Sequence, residues 1–499
     1  MAATIHADLR DAYEAIPYVG RPNHYSEPGR LHAIAALHGL EVPSRATLSV
    51  LEIGCGDGSN LLPLAAAHPG GRFVGVDLSE RLCASAREMA EALSLANVTM
   101  LEADLRALPA DLGRFDVVIA HGFYSWVPPD VRDAMFDAML RHLAPHGLAY
   151  ASYNLLPGAW IRRIGWDAMR FHVRADADPV RRVARSREVI DVLVEAWGAQ
   201  DGPPAMLAES FAHEAARTDG GFYHDNLALV NDPVYLSAFV QHAARRGLAV
   251  IADADPSTLS FGGASADFRE RLDAKPPLVR DQMLDFVHAR ALRQSLMVPH
   301  AAAAGAKLDV ARAASLHFSA TMALMQQRGR HAATSGALAD LLAERFPATV
   351  PFDHLARLLP PQERAGAAAR VFDLCIAGAA DLHVAPLAIA TRPGARPRAS
   401  VVARWQATRR QFVANLRHVG VRLADDTARA LLPLCDGNRT VPELVAAARA
   451  ALPAPEAADP RAAVERRLAQ FASAAPSLRL GAPAGAARSR AASAGRSCR

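Results

Sequence analysis

The sequence predicts an α/β chain built on a parallel, doubly wound sheet, and three observations predict it. Short apolar runs rich in β-branched residues recur ("LSVLEI", "RFVGVD", "FDVVIAHG", "GLAYASYN"). Stretches of helical period separate them. The first run ends in "GCGDGSN", with glycine at 54, 56 and 58. Strands that alternate with helices form a parallel sheet, and ligands bind at the carboxyl ends of its strands.

Taken in order, residues 48–53 read as a buried strand ended by Gly54. Residues 59–67 suit a helix and 72–77 a second strand; 79–93 is a helix with Ser79 as its cap. Residues 98–104 and 115–122 are the third and fourth strands. A helix over 130–143 places Val131, Met135, Phe136, Met139, Leu140 and Leu143 on one side, and 147–154 is the fifth strand. Residues 160–230 read as a helical insertion broken by "QDGPPA". Asp232 is expected to cap the next helix, with Pro233 at its first position and Val234, Leu236, Phe239, Val240 and Ala243 inward. Gly247 ends that helix, and 248–252 returns to the sheet, which closes a domain at 1–300.

Residues 301–395 and 396–476 read as two helix-rich, winged-helix-like modules. In the first, helices over 338–378 precede a short strand, "ADLHVAP". In the second, 401–448 is expected to be helical, with a capping box of Thr440 and Glu443. Residues 477–499 hold Ala, Gly, Ser and Arg without acids and read as a disordered tail.

Composition narrows the function classes. The 499 residues are 51% hydrophobic and 21% charged, as in a soluble globular protein. No run approaches the roughly 18 apolar residues of a membrane span. The start lacks a basic region followed by an apolar one, so no secretory signal is expected. Cysteines 55, 83, 375, 435 and 498 show no metal or disulfide spacing, which favours a cytoplasmic setting. A net charge of +4 gives no reason to expect nucleic acid.

The glycine loop carries the chemistry. Gly54 lets the strand turn, Gly56 lets bare main chain approach a ligand, and Gly58 lets the next helix pack on the strand. A dinucleotide loop, G-x-G-x-x-G, would need glycine where Ser59 stands. The spacing here suits a nucleoside joined to an amino acid without a pyrophosphate, which is S-adenosylmethionine. Asp77, at the end of the second strand, is placed to accept both ribose hydroxyls. Asp104, at the end of the third, is placed to accept from the adenine amino group.

"LEIGCGDGSN", "FVGVDLS", "EAD" and "FDVVIAHG" resemble the motifs of class I S-adenosylmethionine-dependent methyltransferases over residues 45–155. The resemblance implies a Rossmann-like class I sheet. It implies cofactor contacts from Glu52, Gly54, Cys55, Gly56, Gly58 and Asn60, from Asp77 and Leu78, from Ala103, Asp104 and Leu105, and from His121 and Gly122. "HGFYSWVP", "SYNLLPG", "GFYHDNLALVNDPVYLSAFVQHAARRGLAVIAD" and "DFVHARALRQSLMV" resemble bacterial methyltransferases with a regulatory region, here 210–300. "RPRASVVARWQATRRQFVANLRH" and "LLPLCDGNRTVPELV" resemble their C-terminal extension. Some of those relatives are protein lysine methyltransferases acting on outer-membrane proteins.

By that resemblance, Tyr124, Trp126, Tyr153 and Asn154 border the methyl-transfer site, although packing under the next helix is the alternative for Phe123 and Trp126. His121 is open between a general base and a hydrogen-bonded strand-end histidine. Tyr18, His24 and Tyr25, in the entry segment 16–31, are candidates for a lid. No metal is required. The expected acceptor is a protein lysine. The alternatives are a small-molecule acceptor, or a cofactor-binding regulator with little catalysis. The 160–230 insertion is a candidate homodimer contact.

Overall fold

The computed structural model describes residues 2–43, 47–327, 336–423, 425–449, 452, 456 and 458–473. The expected tail, 477–499, lies outside the described residues. Those residues form two compact units. One comprises 1–345, 349–386 and 418–420; the other comprises 346–348, 387–417 and 421 onward.

The first unit is organised by a seven-stranded sheet: β1 (Ser49–Ile53), β2 (Arg72–Asp77), β3 (Val98–Glu102), β4 (Phe115–Ala120), β5 (Leu143–Asn154), β6 (Leu248–Asp253) and β7 (Leu292–Pro299). The strand order is β3-β2-β1-β4-β5-β7-β6. β1 to β5 pair in parallel, in the register Ile53↔Val76, Asp77↔Glu102 and Ala120↔Ala151. Helices cover both faces, so β1, β2 and β4 are near-continuous buried runs.

The helices of this unit that bear on the site are α1 (Ala2–Ala15), α2 (Pro28–Leu37), α3 (Leu61–Ala67), α4 (Glu80–Ala92), α5 (Pro129–His142), α6 (Gly158–Val173), α7 (Pro179–Gly198), α8 (Pro203–Ala215), α9 (Asp219–Asn226) and α10 (Leu236–Arg245). Ser79 caps α4 by accepting from the amide of Leu82. In α5, Val131, Met135, Phe136 and Met139 are buried as expected, and so is Leu143 just beyond it. Leu140 is not: it is 37% exposed at the helix rim, against the Gly247 turn. The insertion α6–α9 has its own core, in which Trp166, Met169, Ile190, Phe211 and Phe222 meet Ile16 of the entry segment.

Three expectations are corrected. The sheet is mixed rather than all parallel, because β7 enters antiparallel between β5 and β6. Asp232 does not cap α10, which begins at Leu236 after Tyr235. The carboxylate of Asp232 pairs instead with Arg132 at 2.7 Å, and Val234 bridges to Leu155, so 232–235 is held extended beside the carboxyl end of β5. Residues 401–448 are not helical throughout, because Phe412–Ala414 and Gly420–Arg422 pair as a short two-stranded sheet.

Residues 317–320, 350–351 and 380–383 form a small antiparallel sheet in the first unit. Arg30 of α2 ties this sheet down through a buried ion pair with Asp381. The second unit packs Ala403, Leu431, Leu432, Leu444 and Leu468 into its own core. Its helix Val441–Ala448 starts with the expected Thr440–Glu443 capping box. Among the described residues, no helix is long and apolar enough to cross a membrane.

Candidate active site

The site begins where β1 ends. Gly54, Gly56 and Gly58 all adopt positive φ (69°, 54° and 72°), a region that strains any residue with a Cβ. Each glycine meets a different surrounding. A Cβ on Gly54 would lie 2.6 Å from the Phe123 ring. A Cβ on Gly58 would lie 2.9 Å from Leu62 and 3.1 Å from Ala86, so this glycine lets α3 and α4 close on the loop. A Cβ on Gly56 would meet nothing within 4 Å, so the main chain there borders open space.

The loop is fixed by the neighbouring strand. The carbonyl of Val76 accepts from the amides of Gly54 (2.8 Å) and Cys55 (3.1 Å). The two oxygens of Asp77 accept from the amides of Gly56 (2.8 Å) and Ser79 (3.0 Å). Burial raises the Asp77 carboxyl above the ordinary range, and these amides act against that.

These residues line a cavity of about 470 Å³ at the strand tips. Gly54, Gly56, Asp77, Leu78, Ala103, Asp104, Leu105, His121, Gly122, Trp126 and Asn154 all line it. Asp104 carries Arg106 on both oxygens, with the closest contact 2.6 Å, and this pairing holds its carboxyl below the usual range.

The other residues named from the sequence sit behind the lining. Cys55 packs against Gly75 of β2. Asn60 is occupied by protein: its amide donates to Glu52 (2.8 Å), and its oxygen accepts from the amide of Asn23 (2.9 Å). Glu52 is 3% exposed; its Oε2 has no hydrogen-bond partner among the described residues, and burial pushes its carboxyl up to about 8.

Tyr124 and Tyr153 do not border the cavity. Both are core side chains, 3% and 1% exposed. Tyr124 meets the ring nitrogen of His242 at 3.0 Å; Tyr153 bonds Ser295 at 2.9 Å and stacks on Phe239 at 3.8 Å. The reason is strand alternation. Ser152 and Asn154 of β5 lie on the cavity side with Leu292 of β7, so Tyr153 between them turns to the other face. Of the lid candidates, Tyr18 lines the cavity. His24 and Tyr25 face Asp381 and Arg30 instead, through a 3.7 Å ion contact and a 5.0 Å cation–ring contact.

The floor is a polar network. His121 meets the hydroxyl of Tyr150 at 3.1 Å and that of Ser152 at 3.0 Å, and the Asn23 amide lies against its ring. Burial lowers His121 to about 4, so the imidazole is neutral at physiological pH. The cover came without a sequence expectation. His6, Leu9 and Tyr13 of α1 line the cavity, as do Arg162, Arg217, His224 and Asp225 of the insertion. Tyr13 stacks on His224 at 4.1 Å, and His224 reaches the carbonyl of Ile16 at 2.6 Å. The spacing of His6, Leu9 and Tyr13 puts them on one helical face, which was the available signal.

Comparisons with known proteins agree with this architecture. Residues 50–147 match the family described as "Methyltransferase domain". Residues 219–299 match "Predicted methyltransferase regulatory domain" and 395–463 match "PKMT, C-terminal winged helix domain". An uncharacterized protein of Rickettsia prowazekii is 33% identical over 287 residues, which cover 57% of this chain and 52% of that protein. The chain thus spans about half the length of that relative. A second uncharacterized protein of the same organism is 28% identical over 236 residues, 47% of this chain and 94% of its own length. The solved structure of PKMT2 from Rickettsia typhi superposes with a TM-score of 0.81 at 20% identity, covering 93% of this chain and all of that one. A second structure of PKMT2 contains AdoHcy and superposes with a TM-score of 0.80.

Proposed function

We propose that this chain, which has the class I methyltransferase fold with a regulatory domain and a PKMT-type winged helix domain, transfers methyl groups from S-adenosylmethionine to lysine side chains of a protein. The observation that carries the reading is the bare main chain of Gly56, open to the cavity beside the Asp77 carboxylate. That surface suits a nucleoside with a ribose diol and no pyrophosphate. The matched domains support the choice of a protein acceptor.

The cofactor supplies a methyl group already activated by its sulfonium. The chain has to align the acceptor and exclude water, and orientation of this kind is worth up to about 7–11 kcal/mol in model systems. Asp77 would hold the ribose, and Ala103 and Leu105 would flank the base. A cavity of about 470 Å³ is of the size of a cofactor-sized ligand, so a slender side chain entering at the mouth is the acceptor that fits. Phe123, Trp126, Val127 and Leu292 are among its lining residues, and apolar walls favour the neutral, nucleophilic amine over the ammonium. Asn154 donates its amide to Asn231 at 3.0 Å, which leaves its oxygen to accept from the amine. Trp126 can hold the alkylammonium product by cation–π attraction. His121 acts as a neutral wall rather than a base, since its ring is already hydrogen-bonded.

The same reading includes a cytoplasmic enzyme, an outer-membrane protein as acceptor, and a homodimer through the insertion, where Ile164, Phe171, Val180 and Val192 are exposed. The test is incubation with methyl-labelled cofactor and bacterial envelope proteins. Label on protein lysines, lost with Asp77→Ala, is the expected result. Label confined to small molecules would overturn the protein acceptor.

A further inference from the structure

In the same cavity as the glycine loop, the insertion presents a charged group that the class I motifs do not include. Arg217 pairs with Glu214 at 3.0 Å and with Asp225, and Arg162 reaches Glu214 at 2.9 Å. Arg162, Arg217 and Asp225 line the same cavity as Gly54, Gly56 and Asp77. Both closest ion contacts of Arg217 are made by Nη1, and a guanidinium carries further N–H donors on Nε and Nη2. Asp225 meets Arg217 through Oδ2, and a carboxylate can accept at both oxygens.

The placement of α9 is built in. A Cβ on Gly220 would lie 2.2 Å from the Pro17 carbonyl, so only glycine lets this helix approach the entry segment so closely. The His224 ring between Tyr13 and Ile16 then fixes its rotation.

Resting on the cofactor assignment above, we infer that Arg217 and Asp225 grip the amino-acid head of the cofactor, Arg217 taking its carboxylate and Asp225 its ammonium. A planar guanidinium suits a carboxylate, and each charge of the pair meets its opposite. Asp225 falls within the matched regulatory domain, and Arg217 lies two residues before it. That region is therefore a working part of the cofactor site.

Two probes separate this inference from the reading beneath it. S-adenosylhomocysteine carries the amino-acid head, whereas 5′-methylthioadenosine has the same nucleoside and thioether without it. Calorimetric titration of the full chain with both is compared in wild type, Arg217→Gln and Asp225→Asn. The expected result is an affinity for S-adenosylhomocysteine lowered at least tenfold in either variant, with 5′-methylthioadenosine changed less than twofold. Retained binding of the second probe also shows that the variants are folded. Arg217→Lys should recover part of the loss. Unchanged affinity for S-adenosylhomocysteine, or equal losses for both probes, would overturn the inference and leave the cofactor reading standing. A wild type that binds neither probe would end both.

Discussion

The wall of the cavity made by the tips of β1–β3 and the wall made by α1 and α9 face the same space but are held by different forces. On the sheet side, backbone amides of residues 54–56 donate to Val76 and Asp77, close in sequence and fixed by strand register. On the cover side, Tyr13 meets His224 and Gly220 meets Pro17, contacts between segments some two hundred residues apart. Local hydrogen bonds on a sheet make a rigid template. Ring stacking and close packing between distant helices make a cover whose loss need not unfold the sheet.

The largest expected effect separates two glycines of the rigid wall. Gly58→Val combines a β-branched residue at positive φ with contacts at 2.9 and 3.1 Å, and should cost about 3 kcal/mol or more, read as a lower urea midpoint. Gly56→Val meets open space. It should cost only about 1–2 kcal/mol of stability while abolishing S-adenosylhomocysteine binding. Equal stability losses in the two would break the division between a packing glycine and a ligand glycine.

The next effect belongs to the cover. His224 is 5% exposed, and burial lowers its pKa from 6.5 to about 4. Between these values the unfolded chain binds a proton that the folded chain does not, so stability falls as pH drops from about 6.5 toward 4. The contribution is on the order of 3 kcal/mol and is present in full above pH 6.5. Thermal melts of His224→Asn should show a flatter dependence in that window; an unchanged slope would place the acid sensitivity elsewhere.

Tyr13→Ala removes the ring stack, worth about 0.5–1.5 kcal/mol, and should weaken S-adenosylhomocysteine about tenfold with a small change in melting temperature. Loss of folding instead would show that the cover is needed to hold the sheet. The smallest effect is Tyr153→Phe, which removes the bond to Ser295 and should cost about 1 kcal/mol with turnover unchanged. A tenfold loss of turnover at unchanged cofactor affinity would return Tyr153 to the chemistry.

The parts of the site legible in the sequence were those with local causes. Gly54, Gly56, Gly58, Asp77 and Asp104 could be placed because strand ends and glycine spacing are short-range features. Tyr124 and Tyr153 were misplaced because an aromatic after a strand end looks the same whether it faces a ligand or the core. Tyr153 took the core face because Ser152 and Asn154 on either side of it face the cavity, and Tyr124 is held in the core against His242 and Phe239. Asn60 looked like a loop residue for a ligand, and its hydrogen bonds to Glu52 and Asn23 make it a brace.

By itself the sequence determined the alternation of strands and helices, the turn that exposes bare main chain, and the carboxylate beside it. Each follows from backbone sterics and hydrophobic period over a few residues. The tertiary structure alone decided that β7 runs antiparallel, that His121 is buried and neutral, and that residues 13, 217 and 225 close one cavity. Those outcomes depend on which distant surfaces exclude water from one another, and no local pattern in the chain encodes that choice.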